Sequence, residues 1–266
     1  VSTPETEVQR EVTRVALAGV AKAGFALAGS GAIREHGVTD RPTEDVDLFT
    51  AILDPEAFER AVDRVVTDLR TAGYEVDEAR RVPRFARLNV RTTTGLELDV
   101  DMGVDWREYD PVTLDVGPVL SLRDAVGNKV SALYSRGEAR DYLDLDAIRA
   151  SARFTDEELL TAAAERDPGF DTAMFAQQLD AVRRLQPAQV VRYGVSAEEL
   201  EGIKARCARW AGQLQGPAPA DATRAANLVR AAFPMSAIAA TQQSAAPGPA
   251  DGAVARHSGQ EPSLER

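Results

Sequence analysis

Glu44-Asp45-Val46-Asp47-Leu48-Phe49-Thr50 alternates polar and apolar residues. That period predicts a strand with Asp45 and Asp47 on one face and Val46 and Leu48 on the core face. Two carboxylates about 7 Å apart along a strand repel each other unless a cation sits between them. Such a pair suits a hard, oxygen-seeking ion, Mg²⁺ or Mn²⁺. The plainer reading is an exposed polar face on an edge strand.

Upstream, apolar residues at helical spacing (Val8, Val12, Val15, Ala16, Val20) predict a helix over 6–23, ended by Gly24. Phe25 to Ala28 reads as a short buried strand, Gly29-Ser30-Gly31 as a turn, and Ala32 to His36 as a short helix. A strand that runs through glycine and serine into a helix lets backbone N–H groups approach an anion. A dinucleotide fingerprint is rejected, because Arg34 stands where its third glycine belongs and no parallel βαβ pattern surrounds it.

Downstream, Asp54-Pro55 opens a helix to about Leu69. Strands follow near 74–80, 85–92 and 96–103, the last two joined by a turn at Thr92–Gly95. Leu96 to Met102 repeats the alternation, with acids at Glu97, Asp99 and Asp101. A third carboxylate from this segment would complete a two-metal site or accept a proton, and Asp99, nearer the middle of the strand, is preferred to Asp101. Arg80, Arg81, Arg84, Arg87 and Arg91 crowd the same region. They read either as a solvated strand face or as a ridge for phosphates.

After Pro118 the pattern turns helical. Ser121 with Asp124, Thr155 with Glu158, and Ser196 with Glu199 are capping signatures, and Gly137 separates two helices near 121–135 and 138–151. Beyond about Thr241 the chain is Gln, Ser, Ala, Gly and Pro without apolar periodicity. The expected plan is an α/β (α+β) domain over 1–118, a helical domain over 119–240 and a disordered tail over 241–266.

Composition narrows the chemistry. The chain has 266 residues, a formal charge of −11, one cysteine (Cys207) and two histidines (His36, His257). Disulfide frameworks, cysteine-cluster zinc sites and histidine-based nucleophilic catalysis are therefore poor fits, and carboxylates must carry the work. The acidic total opposes nonspecific coating of nucleic acid. No apolar run is long enough for a membrane span, and VSTPETEVQR shows no secretory signal, so a cytoplasmic protein is expected. Lys22, Lys129 and Lys204 are the only lysines. Lys129 lies on an apolar helical stripe with Val126, Val130 and Leu133, so it either snorkels to the surface or enters a polar cleft. Asp141, in the first turn of the next helix, reads as ordinary capping or as that lysine's partner.

The order of strand, Gly29-Ser30, then Arg41-Pro-Thr43-Glu-Asp45-Val-Asp47-Leu-Phe49 resembles the polymerase-β-like nucleotidyltransferase superfamily. More narrowly it resembles the AbiEii family, toxins of abortive-infection and type IV toxin–antitoxin systems that include MenT-like enzymes. Asn128-Lys129-Val-Ser-Ala-Leu and Arg136-Gly-Glu-Ala-Arg140-Asp141-Tyr-Leu-Asp144-Leu are similar to that family's later motifs, and the likeness covers about residues 25–150. It implies a mixed sheet and a nucleoside triphosphate held by Gly29 and Ser30, with Mg²⁺ or Mn²⁺ on Asp45 and Asp47. Lys129 would act on the phosphates, Asp141 would complete the site, and Thr43 would lie near the nucleotide, where a relative's hydroxyl can be phosphorylated. A tRNA 3′ end as acceptor, with an arginine ridge (Arg80, Arg81, Arg84, Arg87) to hold it, and a cognate antitoxin are the implied partners. Transfer to a small molecule or a protein side chain, or a silent binding module, are the rival expectations. Gly31 departs from the aliphatic residue usual after the Gly-Ser pair.

Overall fold

The computed structural model describes residues 3–43 and 45–216. The expected tail over 241–266, and the helical expectation beyond 216, lie outside the described residues. Helix α1 (Pro4–Val20) starts at the Thr3 cap, whose hydroxyl accepts from Thr6 N–H. The chain continues through β1 (Ala26–Leu27), α2 (Gly29–Glu35), β2 (Asp45–Thr50) and α3 (Pro55–Thr71). Next come β3 (Glu75–Val82), β4 (Phe85–Arg91), β5 (Glu97–Val104), β6 (Val112–Leu114) and β7 (Gly117–Val119). Five helices follow: α4 (Leu122–Ser135), α5 (Ala139–Ala150), α6 (Asp156–Arg166), α7 (Thr172–Asp180) and α8 (Ala197–Gln215).

The strands form one mixed seven-stranded sheet in the order β3-β4-β5-β2-β1-β7-β6. β2 lies between β1, antiparallel, and β5, parallel. It is a central strand, so the edge-strand reading of its acidic face is removed. Its burial alternates as the sequence predicts: Val46 and Leu48 are buried, while Asp45, Asp47 and Phe49 are partly open. Burying each of those aliphatic side chains stabilises the fold by about 1.5–3 kcal/mol. A one-residue slip would exchange them with the aspartates, so the same burial fixes where the carboxylates point.

α1 packs on α3, whose apolar stripe (Phe58, Val62, Val65, Leu69) is buried. The expected helices at α1, α3, α4 and α5 and the expected strands at β1 to β5 are present within two or three residues at most boundaries. Two differences stand out. Gly29 and Ser30 form the first turn of α2 rather than a turn before it, because Ala28 is already the extended cap residue. The short hairpin β6–β7 has no counterpart in the expected plan; its three-residue strands carry too little pattern to register. The change from sheet to helices at residues 119–122 occurs within one compact unit, Val1–Gly216. Among the described residues no helix is long and apolar enough to cross a membrane.

Candidate active site

The parallel register of β2 and β5 sets Asp45 opposite Asp99 and Asp47 opposite Asp101. Neighbouring strands lie about 4.8 Å apart, so four carboxylates share one patch of one sheet face. Basic groups answer this charge from two sides. On β4, Arg87 donates to both oxygens of Asp101 (Nε–Oδ1 2.7 Å, Nη2–Oδ2 2.6 Å). On α5, Arg140 Nη1 lies 3.4 Å from Asp45 Oδ2.

Among the described residues Asp47 has no such partner. Burial, then the adjacent Asp45, push its carboxyl up to about 7, against the pull of Lys129. Some of its surface still meets water, yet protein atoms surround it densely. A carboxylate pair whose ionisation is resisted by its own neighbours has the donor chemistry that a hard divalent cation relieves. Among the described residues no three carboxylate, histidine or cysteine side chains converge at metal-ligand spacing. The Asp45–Asp47 pair thus fits an ion that takes its remaining ligands from phosphate or water.

The two acids of β5 meet different surroundings. Asp99 accepts from Asn89 Nδ2 (2.6 Å) and lines a different cavity with Glu75, Asp77, Arg91 and Glu97. Asp101 is the register partner of Asp47, is 7 % exposed, and adds to the charge that Asp47 feels. Pairing with β2 thus sets Asp101 against Asp47 and Asp99 against Asp45.

Gly29 sits directly beside Asp47. Its φ is +57°, and a Cβ built there would lie 1.8 Å from Asp47 Oδ2. Only glycine suits both the backbone conformation and the approach. Ser30, the next residue, is buried and joins a network from three other segments. Lys129 Nζ donates to Ser30 Oγ at 2.7 Å and lies 2.8 Å from Asp144 Oδ2. Ser30 Oγ donates to Asp144 (2.9 Å), and Arg41 binds Asp144 through Nε (2.9 Å) and Nη2 (3.1 Å). Burial alone would raise the Asp144 carboxyl, but Lys129 and Arg41 hold it below the usual range. Lys129 therefore enters the polar cleft rather than snorkelling outward.

The lysine's acid is Asp144, not Asp141, and this corrects the expected pairing. Asp141 is fully buried, accepts from Glu138 N–H as the cap of α5, and binds Arg136 through two bonds (2.9 and 2.8 Å). The two acids lie three residues apart on α5, and the helix turns only Asp144 toward Ser30. Arg41 and Asp144 stand in the sequence motifs without an assigned role, and their burial together is not readable from spacing.

A cavity of about 480 Å³ opens between the sheet and α4, lined by Gly29, Asp47, Phe49, Asp105, Asn128, Lys129, Ser131, Ala132, Ser135, Arg136, Arg166 and Asp167. Its volume is in the range of small-molecule sites. Thr43 lies elsewhere: it is buried, its hydroxyl bonds to Gln9 Oε1 (3.1 Å) and accepts from Arg34 Nη1 (3.2 Å), and its carbonyl accepts from Gln9 Nε2. The structure thus places Thr43 outside the lining of the cavity that Gly29 and Lys129 share. The arginine run does not form one ridge. Arg81 turns to α3 and binds Glu59 and Asp63, and Arg87 binds Asp101. Arg80 and Arg84 remain exposed, Arg80 over the Phe85 ring and Arg84 in the β3–β4 turn at φ +67°.

The fold is similar to solved structures. JHP933 from Helicobacter pylori aligns with a TM-score of 0.51 at 14 % identity, over 86 % of this chain and all of the other. Another H. pylori structure gives 0.52 at 16 %, over 80 % and 95 %. MenT4, a nucleotidyltransferase toxin of Mycobacterium tuberculosis H37Rv, aligns at 0.49 and 18 % identity, over 82 % and 86 %. No curated protein matches the chain by sequence. Residues 15–225 match the family described as nucleotidyl transferase AbiEii toxin, type IV TA system. That match spans the sheet, the cavity and all the helices that line it, and the chain belongs to the AbiEii nucleotidyltransferase toxins of type IV toxin–antitoxin systems.

Proposed function

We propose that the chain transfers a nucleoside monophosphate from a nucleoside triphosphate to RNA, at the 3′ end of tRNA, and so blocks translation until a cognate antitoxin neutralises it. The family implies the antitoxin; the acceptor is the further step. One observation carries the chemistry: Gly29, Asp47 and Lys129 meet at one cavity, so a phosphate turn, a carboxylate and a cation face the same space.

Asp45 and Asp47, with Asp101 in place of Asp99, would hold Mg²⁺ or Mn²⁺. When bound, such an ion supplies Lewis-acid stabilisation of phosphate charge and lowers the pKa of an attacking hydroxyl. The α2 backbone at Gly29 and Ser30 would hold the triphosphate, with glycine at the first of them leaving no Cβ against Asp47. Lys129, fixed by Ser30 and Asp144, presents its ammonium to negative charge that grows in the transition state. Asp141 serves this site indirectly by fixing Arg136, which lines the cavity. Exposed Arg80 on β3 and Arg84 in the β3–β4 turn are the part of the arginine run left to meet an RNA backbone.

Incubation with labelled nucleoside triphosphates, Mg²⁺ and total RNA tests the proposal. Label is expected on tRNA with the native protein and to fall at least a thousandfold with Asp45→Ala. Equal labelling by that variant refutes the assigned chemistry. Label on a small molecule or on protein, with none on RNA, refutes the acceptor.

A further inference from the structure

A second cavity, of about 430 Å³, opens at the first turn of α5. Glu138 and Arg140 line it from that turn, and Arg192 and Tyr193 line it from the short turn Val191–Tyr193 that precedes α8. Both arginines offer surface to a ligand: Arg192 is exposed, and the Arg140 side chain is 31 % exposed. Tyr193 sets the position of Arg192, whose Nη2 donates to the phenol oxygen at 2.6 Å and whose guanidinium lies 4.8 Å from the ring centre. The same ring lies 4.9 Å from Arg41 Cζ, and Arg41 holds Asp144. One wall of the cavity is thus built on the network that fixes Lys129.

Arg140 joins this cavity to the acidic pair. Its Nη1 lies 3.4 Å from Asp45 Oδ2, and its Nε donates to Glu138 at 2.9 Å. Phe49, Asp47 and Asp45 follow one another along the open face of β2. The first cavity is lined by Phe49 and Asp47, whereas Arg140 meets the pair at Asp45. Along the strand, the two carboxylates therefore stand between the cavities. In an in-line displacement the attacking and leaving oxygens lie on opposite sides of the phosphorus. With the triphosphate at Gly29 and Lys129, the attacking hydroxyl comes from the Asp45 side. Another cavity borders that side, at Asp99, the register partner of Asp45. Glu75, Asp77, Glu97 and Asp99 line it with Arg91 as their one basic neighbour, so it repels a phosphate chain. The α5 cavity sets two arginines against one glutamate.

We propose that the α5 cavity holds the phosphodiester backbone of the acceptor RNA beside its reacting 3′ end, with Arg140 nearest the hydroxyl and Arg192 on the phosphate beyond. This rests on the proposed transfer to RNA and assigns the acceptor its place. Guanidinium groups bind phosphate oxygens in a fork and read no base, so the site positions the strand without selecting its sequence. In a chain of net charge −11 the overall field does not draw RNA in. Local cations beside the reacting groups carry the binding instead.

Anisotropy titrations of the full chain with a labelled single-stranded RNA ending in CCA-3′, in Mg²⁺ over a range of salt and without nucleoside triphosphate, test this apart from turnover. Arg192→Gln is expected to weaken RNA binding about tenfold, the effect of one hydrogen-bonded charge contact, and to reduce the slope of log K against log salt by about 0.7. Arg140→Gln should do the same, and the double variant should lose about 1.4 of the slope. The losses should be equal for single strands of other sequence, and ATP binding in Mg²⁺ should be unchanged in Arg192→Gln. Arg192 is exposed, so its variant keeps the native melting temperature and decides the matter even if Arg140→Gln unfolds. An unchanged salt slope in Arg192→Gln overturns the inference and leaves transfer to RNA standing. So does an equal loss of RNA and ATP affinity, which would make the cavity part of the nucleotide site. A native protein that binds no RNA at low salt overturns the acceptor reading, and the inference with it.

Discussion

Asp47→Asn is expected to stabilise the metal-free protein while abolishing transfer, and the size of the gain follows from the site. Burial and Asp45 move the Asp47 carboxyl from an ordinary 3.8 to about 7 in the folded chain. The folded value lies above the unfolded one, so the carboxyl's contribution to stability is intact below pH 3.8, is lost as pH rises toward 7, and stays lost above it. The whole interval corresponds to about 4 kcal/mol, an upper limit because the side chain keeps some contact with water. Asparagine has nearly the same shape and does not titrate, so other groups cancel in the comparison. From about pH 5.5 to 8 the advantage of the Asp47→Asn variant should grow by about 2 kcal/mol, or about 4–8 °C in melting temperature for a folded unit of this size. Thermal melts of both proteins in EDTA across that range measure it. Added Mg²⁺ should then raise the melting temperature of the native protein more than that of the variant. Parallel pH profiles for the two proteins, with no widening above about pH 5.5, would refute the claim that Asp47 is a strained buried acid.

Three further outcomes are expected. Gly29→Ala should remove activity and lower stability, since its methyl would overlap the Asp47 carboxylate at a positive φ; wild-type turnover by that variant contradicts the close approach. Asp144→Ala should cost about 3–5 kcal/mol in chemical denaturation, because Lys129 and Arg41 would be left as buried cations without their acid; a loss under about 1 kcal/mol would mean the network is not closed as described. Arg136→Ala should weaken triphosphate binding about tenfold or more, with a smaller effect on monophosphate, if Arg136 presents its charge to the cavity. Equal losses for both ligands would assign it a packing role instead.

The acidic strand is legible because period-two alternation is a local property: Asp45 and Asp47 have to share a face once Val46 and Leu48 are buried. Helix ends are legible for the same reason, as with the capping pair Thr155 and Glu158. What stays open depends on register and helix rotation. Whether Asp99 or Asp101 faces Asp47 turns on the register of β2–β5 pairing, and the alternation within β5 is the same either way. Likeness of position puts Thr43 at the nucleotide, yet Gln9, on a helix 34 residues earlier in the chain, claims its hydroxyl. The arginine run fails as a ridge because the strands send Arg81 and Arg87 to different neighbours, each to its own acids.

The exchange of Asp141 for Asp144 shows how the sheet and helical parts depend on each other. Both acids are fully buried and both hold a cation, so burial and charge do not distinguish them. They differ in what their cations touch. Asp141 closes a local loop, from Arg136 at the end of α4 to the cap of α5. Asp144 joins α5 to Lys129 on α4, to Ser30 on α2 and to Arg41 in the segment leading into β2. One carboxylate thus ties the Gly29-Ser30 turn, the lysine and the approach to Asp45 into a single network. Replacing a buried ion network by apolar packing is often neutral or stabilising, so stability alone does not account for it. Its fixed geometry does something apolar packing does not: it sets the Lys129 ammonium against Ser30, and in the proposed reaction that placement would lower the reorganisation needed during nucleotidyl transfer. A conservative Asp144→Asn variant that folds should therefore lose far more in kcat than in nucleotide affinity, as single-turnover rates set beside equilibrium titrations would show.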